Sequence, residues 1–216
     1  MIVVRIAVIG SGSVGKRLAS GFAAAGHDVV LGSRSPDDAE LSAWAGESGV
    51  TTALPAEAVR DAQIVVNATP GTASVSALRA AGVGELGTVL LDVSNPLDFS
   101  SGEPRLSTER DDSIAELLQR AFPSLRVVKS LCTVNNPIMV EPGLLPEPTT
   151  MFLAGDDVSA KEMVQELLLS VGWAADQLLD LGGIDAARQM EANIMFWLKM
   201  MNALGTATFN IRVVRG

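Results

Sequence analysis

Short apolar runs alternate with amphipathic stretches along the first 130 residues. The runs 3–9, 28–31, 50–53, 64–68, 88–93 and 126–129 carry almost no polar alternation. That is the pattern of strands buried on both faces. Between them, helical spacing predicts helices over 14–25, 37–47, 55–60, 72–81 and 113–121, with Gly26 and Gly49 as stops for the first two. Strands and helices in strict alternation predict a parallel sheet covered on both sides. The expected fold is α/β: a Rossmann-type, doubly wound, mainly parallel sheet. Two segments interrupt the alternation, a polar stretch at 96–112 and a proline-rich one at 135–148, and both are expected as loops. Beyond them the pattern predicts a strand at 150–153, a helix at 159–171, a strand at 174–178 and a long helix at 183–204. These form a small C-terminal α/β extension. The expected division is 1–130 and 131–216, with no linker or repeat to mark the boundary.

Composition narrows the chemistry. The chain is 48% hydrophobic and 19% charged, with a net charge of −9, and it has no Lys/Arg cluster. That argues against nucleic acid or an anionic membrane as partner. It has one cysteine, Cys132, one histidine, His27, and no tyrosine. An intrachain disulfide is excluded, a zinc ligand set is missing and no metal site is expected. The apolar N-terminus "MIVVRIAVIG" is too short for a signal peptide or a membrane span, which points to a cytoplasmic protein. His27 falls at the end of the sheet away from the ligand edge and is expected at the surface. Cys132 is expected as an apolar filler. Lys129 ends a strand at the ligand edge, where it would contact an anionic substrate, act as an acid, or form a buried ion pair. No catalytic residue is identified.

The chemistry concentrates in two turns. "GSGSVG" at 10–15 follows an apolar strand and opens a helix. In that context G-x-G-x-x-G binds a dinucleotide. Gly10 permits the tight turn, Gly12 lets a pyrophosphate approach the backbone, and Gly15 lets the helix pack on the strand. Ser11, Ser13 and Val14 are the turn's other residues. Some 20 residues on, a carboxylate usually ends the second strand and holds the adenosine ribose. Here that place is "GSRS". A carboxylate would repel a 2′-phosphate, whereas Arg34 would clamp one and Ser33 would add a hydroxyl. The expected cofactor is therefore NADP(H); the alternative is an Arg34 that is merely solvated. The turns "NATPG" at 67–71 and "DVSNP" at 92–96 fall on the same edge.

Taken together, "RIAVIGSGSVGKRLASGFAAAGHDVVLGSR", "IVVNATPGTAS", "LLDVSNPLDFS", "FPSLRVVKSLCTVNNPIMV", "TTMFLAGDD" and "ALGTATFNIRVVR" resemble the NADPH-dependent F420 reductase family (8-hydroxy-5-deazaflavin:NADP oxidoreductases) over almost the whole chain. The first third is shared with pyrroline-5-carboxylate reductases and the cytosolic domain of the STEAP ferric reductases. The resemblance implies hydride transfer between nicotinamide and coenzyme F420 or a flavin-type acceptor, a small-molecule redox partner and a homodimer closed by the C-terminal part. It implies that Gly10 to Val14 hold the pyrophosphate and Ser33 and Arg34 the 2′-phosphate. Ala68, Thr69, Pro70 and Asn95 would border the nicotinamide. The stretch at 97–112 is longer than compact members of the family carry, which leaves the acceptor open. An NADPH-dependent imine or carbonyl reductase, drawing a proton from Lys129, Ser130 or Thr133, and a non-catalytic NADP(H)-binding redox sensor are the competing functions.

Overall fold

The computed structural model describes residues 3–108 and 111–215. Its strands are β1 (Arg5–Ile9), β2 (Asp28–Gly32), β3 (Thr51–Ala53), β4 (Ile64–Asn67), β5 (Val89–Asp92), β6 (Leu97–Asp98), β7 (Arg105–Leu106), β8 (Arg126–Ser130), β9 (Met151–Ala154) and β10 (Leu178–Asp180). The helices are α1 (Ser13–Ala24), α2 (Ala39–Ser48), α3 (Pro55–Ala58), α4 (Ser74–Ala81), α5 (Ile114–Ala121), α6 (Asn136–Val140), α7 (Val158–Ser170) and α8 (Ala187–Leu204). All strands except β6 and β7 join one sheet in the order β3-β2-β1-β4-β5-β8-β9-β10, so strands from both sides of residue 130 share it. Every neighbouring pair is parallel except β8 with β9. The chain is a mainly parallel, doubly wound Rossmann-type α/β protein.

Alternate strand residues point to opposite faces, and each face has its own core. Ile6, Val8, Val66 and Leu91 pack with Leu18 and Phe22 of α1 and Val164 of α7. Ala7, Val65, Leu90 and Val127 pack with Leu78 of α4 and Leu118 of α5. Because both faces are covered, the strands read as unbroken apolar runs.

Four local expectations are corrected. The stretch at 96–112 is not wholly irregular: β6 and β7 pair as a small antiparallel hairpin. Asp98 closes it, accepting from the Ser100 N–H and from the Arg105 guanidinium, and these bonds hold its carboxyl down at about 2. Residues 109 and 110 of this stretch lie outside the described residues. Within the proline-rich segment lies α6, which seats Val140 against Gly21 of α1, where a Cβ would come within 2.5 Å of it. A five-residue helix is too short to show periodicity, but Asn135 before it and Pro137 in its first turn are start signals. The last strand begins at Leu178 rather than 174, because 175–177 form a 3₁₀ turn tied by the Gln177 side chain to Ala174 N–H and the Thr149 carbonyl.

The fourth correction concerns His27, which is buried rather than a surface residue. Its Nδ1 accepts from Val4 N–H at 3.2 Å and its Nε2 lies 2.9 Å from Ser170 Oγ. The Ser170 hydroxyl already donates to the Leu167 carbonyl, so Nε2 is the protonated nitrogen. Burial lowers the imidazole's proton affinity. The unfolded chain then binds the extra proton more readily. Stability is therefore full above about pH 6.5 and falls as pH drops toward the folded-state value. His27→Gln is expected to be less stable at neutral pH and to lose less stability between about pH 7 and pH 5 than wild type. Denaturant midpoints at the two pH values test this; parallel losses in both proteins would remove His27 from the account.

Candidate functional site

From β1 the chain winds outward to β2 and β3 on one side, and to β4, β5 and β8 on the other. The carboxyl edge between β1 and β4 is thus the switch point where doubly wound sheets bind ligands. The 10–13 turn lies there. Gly10 has φ +119, and a Cβ on it would stand 2.6 Å from the Ala68 carbonyl oxygen. A Cβ on Gly15 would stand 1.8 Å from the Gly10 carbonyl oxygen. Both glycines are demanded by packing. Gly12 is different: a Cβ there meets no protein atom within 4 Å. Gly12 begins α1 with no side-chain cap and no acid in the first turn. In contrast, Asp38, Ser113 and Asp157 cap α2, α5 and α7. The first N–H groups of α1 and their partial positive charge are left for a ligand, and the open face at Gly12 gives a pyrophosphate access to them. The residues fit the cofactor's phosphates.

The second strand ends beside this turn. Gly10 N–H donates to the Gly32 carbonyl at 3.2 Å, and the Ser11 and Ser33 hydroxyls lie 3.2 Å apart. Ser33 is buried and its Oγ accepts from Ser35 N–H at 3.2 Å, which shapes the turn that presents the exposed Arg34. Asp38, one of the two acids that line the adjoining cleft, spends its Oδ1 on capping α2 through Glu40 N–H and Leu41 N–H, both at 3.1 Å. Ser11, Lys16, Ser33, Arg34 and Glu40 contribute to the walls of a cleft of ≈ 290 Å³. Lys16 is not singled out by motif spacing. It stands just after the third glycine, on the side of α1 that meets α2, and that is its one sequence signal.

The other turns are joined through side chains. Ala68 N–H donates to the Ile9 carbonyl at 2.9 Å. A Cβ on Gly71 would come within 2.5 Å of the Asn95 carbonyl oxygen, so the turns carrying Ala68 to Pro70 and Asn95 abut. Asn95 Nδ2 donates to the Cys132 carbonyl at 2.8 Å, linking the turns after β5 and β8. Thr69 Oγ1 donates to Asn67 Oδ1 at 2.6 Å, and Asn67 Nδ2 donates to Asp92 Oδ1 at 2.8 Å. The sequence-predicted site residues therefore share one edge of the sheet, in two groups: Gly10 to Val14 with Ser33 and Arg34, and Ala68 to Pro70 with Asn95.

Beneath the second group lies a buried ionic network. Lys129 Nζ reaches Asp92 Oδ2 at 2.8 Å, Glu191 Oε1 at 2.9 Å and the Ser94 carbonyl. Glu191 also accepts from Ile114 N–H and Ala115 N–H at the start of α5. The Lys129 side chain is 0% exposed. Burial alone would lower its pKa, but the Asp92 and Glu191 carboxylates outweigh it and hold the ammonium above the usual lysine value. Burial raises the Glu191 carboxyl, with Lys129 pulling the other way. Of the three roles open to it in the sequence, Lys129 takes the buried ion pair and is a structural cation. Burial pushes the Cys132 thiol up to about 12, which leaves no reactive thiolate. Above the network, Ser94 Oγ, Asn95 Oδ1, Thr133 Oγ1 and Asn135 Oδ1 are buried without hydrogen-bond partners. Leu131, at φ +63, turns the chain sharply after β8 and sets the backbone that carries Cys132 and Thr133.

A phosphate-binding turn at the switch point, followed by an arginine where NAD proteins place an acid, defines a Rossmann-type oxidoreductase that uses NADP. Residues 5–96 match the family model described as NADP oxidoreductase, coenzyme F420-dependent. A crystal structure from Arthrobacter sp. FB24, assigned as an F420-dependent NADP-reductase, is 41% identical, with a TM-score of 0.93, and the alignment covers 98% of this chain and 100% of that one. The chain belongs to the coenzyme F420-dependent NADP oxidoreductase family. Rat metalloreductase STEAP3 is 28% identical over 188 residues, which is 87% of this chain; the chain spans 36% of that protein's length. A reductive aminase from Aspergillus terreus, solved with NADPH4, cyclohexanone and allyl amine, shares the fold at 16% identity, with a TM-score of 0.65 over 94% of this chain and 62% of that one. Among the described residues, no helix is long and apolar enough to cross a membrane, and no group of three His, Cys, Asp or Glu side chains could hold a metal ion.

Proposed function

We propose that this protein passes hydride between NADP(H) and coenzyme F420 or a flavin-type acceptor. The observation that carries the reading is the chemistry of the nicotinamide end. Ala68, Thr69, Pro70 and Asn95 form its border, while the titratable groups near it are paired or protonated. Lys129 is held between Asp92 and Glu191, and Cys132 stays protonated. A bound nicotinamide would supply the hydride, and the chain's own contribution is to hold and orient two rings rather than to shuttle a proton. Gly10, Ser11, Gly12, Ser13 and Val14 hold the pyrophosphate, and Ser33 and Arg34 the 2′-phosphate. The part at 131–216 closes the cleft, and the exposed Phe196 and Leu204 of α8 are covered in a homodimer. In this reading the partner is a small redox molecule in the cytoplasm.

The unpartnered hydroxyls of Ser94 and Thr133 favour a second reading, an imine or carbonyl reductase in which one of them donates a proton. NADPH oxidation by the purified protein, measured with coenzyme F420, with FMN or FAD, and with a panel of cyclic imines, separates the two. Turnover with a deazaflavin or flavin is expected. Turnover with imines alone would transfer the assignment to the second reading. Binding without turnover would leave an NADP(H) sensor.

Cofactor choice is tested separately. A hydrogen bond to a charged group is worth about 1.5–3 kcal/mol, so Arg34→Ala should weaken NADPH binding by about 10- to 100-fold. NADH, which has no 2′-phosphate, should bind nearly as before. Dissociation constants at fixed ionic strength give the answer, and an equal loss for both nucleotides would make Arg34 a support for the loop.

A further inference from the structure

One cation beside the 2′-phosphate site is neither part of the glycine turn nor of the "GSRS" segment. Lys16 follows the third glycine, and its N–H makes the first helical bond of α1, to the Gly12 carbonyl at 2.9 Å. Its side chain runs across to α2. There Nζ lies 3.0 Å from Glu40 Oε1 and 6.0 Å from the centre of the Trp44 ring. Only 23% of the Lys16 side chain is exposed, against 87% of Glu40. The ammonium is therefore drawn onto the protein while its carboxylate partner stands in solvent. Both face the cleft that Ser11, Ser33 and Arg34 also line.

We propose that Lys16 is a second cationic ligand of the adenosine 2′-phosphate, and that Glu40 holds it in reserve until that phosphate arrives. This rests on the reading of Ser33 and Arg34 as the 2′-phosphate site. The cleft presents Lys16 and Arg34 as cations and Glu40 and Asp38 as anions. Asp38 is committed to the cap of α2, so its position is fixed. Glu40 has no such commitment for its side chain beyond the ion pair with Lys16. A phosphate dianion entering between Arg34 and Lys16 meets the Glu40 carboxylate as a like charge. An exposed ion pair is weak and salt-screened, so the carboxylate rotates into water at little cost. The ammonium then gains a doubly charged partner with three acceptor oxygens in place of a singly charged one. A nucleotide without the 2′-phosphate gives the ammonium no reason to leave Glu40. The pair therefore sharpens the choice between the two cofactors. It also limits how tightly the phosphorylated one is held, because the carboxylate competes for the same cation when the cofactor leaves.

The test is a set of dissociation constants for NADPH, NADH, adenosine 2′,5′-bisphosphate and AMP at low, fixed ionic strength. Lys16→Met should weaken the two 2′-phosphorylated ligands by about tenfold and change the other two by less than about twofold. Lys16→Arg should retain most of the affinity. Glu40→Gln should tighten NADPH and the bisphosphate by about threefold or more and leave NADH and AMP unchanged. In the Lys16→Met background the Glu40→Gln gain should vanish. Glu40 is exposed and its substitution leaves the fold intact, so this arm decides even if Lys16→Met folds poorly. An unchanged or weaker NADPH affinity in Glu40→Gln overturns the proposal, as does an equal effect of Lys16→Met on all four ligands. If Arg34→Ala in those cases still weakens NADPH and spares NADH, the 2′-phosphate reading stands and only the role of Lys16 falls. If Arg34→Ala weakens both nucleotides equally or neither, the 2′-phosphate reading itself has failed.

Discussion

Lys129→Met is expected to destabilise the protein by about 3–5 kcal/mol, the range for removing one partner of a fully buried ion pair. The side chain is of similar length, so the loss is electrostatic rather than a cavity. Asp92 and Glu191 would face one another without the ammonium that lies 2.8 and 2.9 Å from them in the wild type. The sign of the pH dependence follows. In the variant, the Glu191 carboxyl, already raised by burial, loses the ammonium that pulls it down and rises further above its unfolded value of about 4. A raised carboxyl is protonated in the folded state to a higher pH than in the unfolded chain. The variant therefore keeps most of its stability at acid pH and loses it as pH rises through the folded-state value. Adding Glu191→Gln should recover part of the loss, because one buried charge is gone. Urea denaturation of the single and double variants across the pH range reads all three effects. A loss below about 1 kcal/mol for Lys129→Met, the size of an exposed pair, would mean that the three groups do not share one buried charge balance.

Gly12→Val is expected to abolish binding of NADPH and NADH together, by at least about 100-fold, or about 2.7 kcal/mol, while the protein stays folded. Gly12 has φ −76 and ψ −176, extended backbone that any residue adopts, and a Cβ there touches nothing. Two methyl groups would instead occupy the space through which a pyrophosphate reaches the α1 N–H groups. Gly15→Ala is the contrast. Its Cβ would stand 1.8 Å from the Gly10 carbonyl oxygen, so the turn must deform and thermal stability should fall. Calorimetric titration with both nucleotides, alongside thermal melts, separates the two behaviours. A Gly12→Val protein that still binds either nucleotide would displace the pyrophosphate from this turn.

The two glycines also show how far the sequence can be read. The spacing of Gly10, Gly12 and Gly15 after an apolar strand announced a nucleotide turn. The structure adds that Gly10 and Gly15 are fixed by contacts with protein, whereas Gly12 alone is free for a ligand. The segment "GSRS" likewise carried its chemistry in its residue types, since an arginine in place of an acid reverses the preference for phosphate. Elements of ordinary length were legible because periodicity records which faces are covered. The short elements inside the two segments expected as loops were not: α6 spans five residues and the β6–β7 pair two each, and none sets a period against the proline-rich and polar residues around it.

Strand and helix order, the glycine turn and the choice of NADP over NAD depend on residues close in the chain, whose spacing alone fixes which side chains share a face or a turn. Those properties the sequence determined. Lys129 could be substrate ligand, acid or structural cation until β8 was placed beside β5 and α8 carried Glu191 to the same place, bringing Asp92 and Glu191 to one ammonium. His27 became a buried group with both ring nitrogens bonded because Val4 N–H meets its Nδ1 and α7 brought Ser170, 143 residues away, to its Nε2. Lys16 lines the cleft beside Ser33 and Arg34 because α2 brings Trp44 and Glu40 to its ammonium. A side chain's charge state and reach depend on burial and on partners from distant segments, and only the folded chain assembles those.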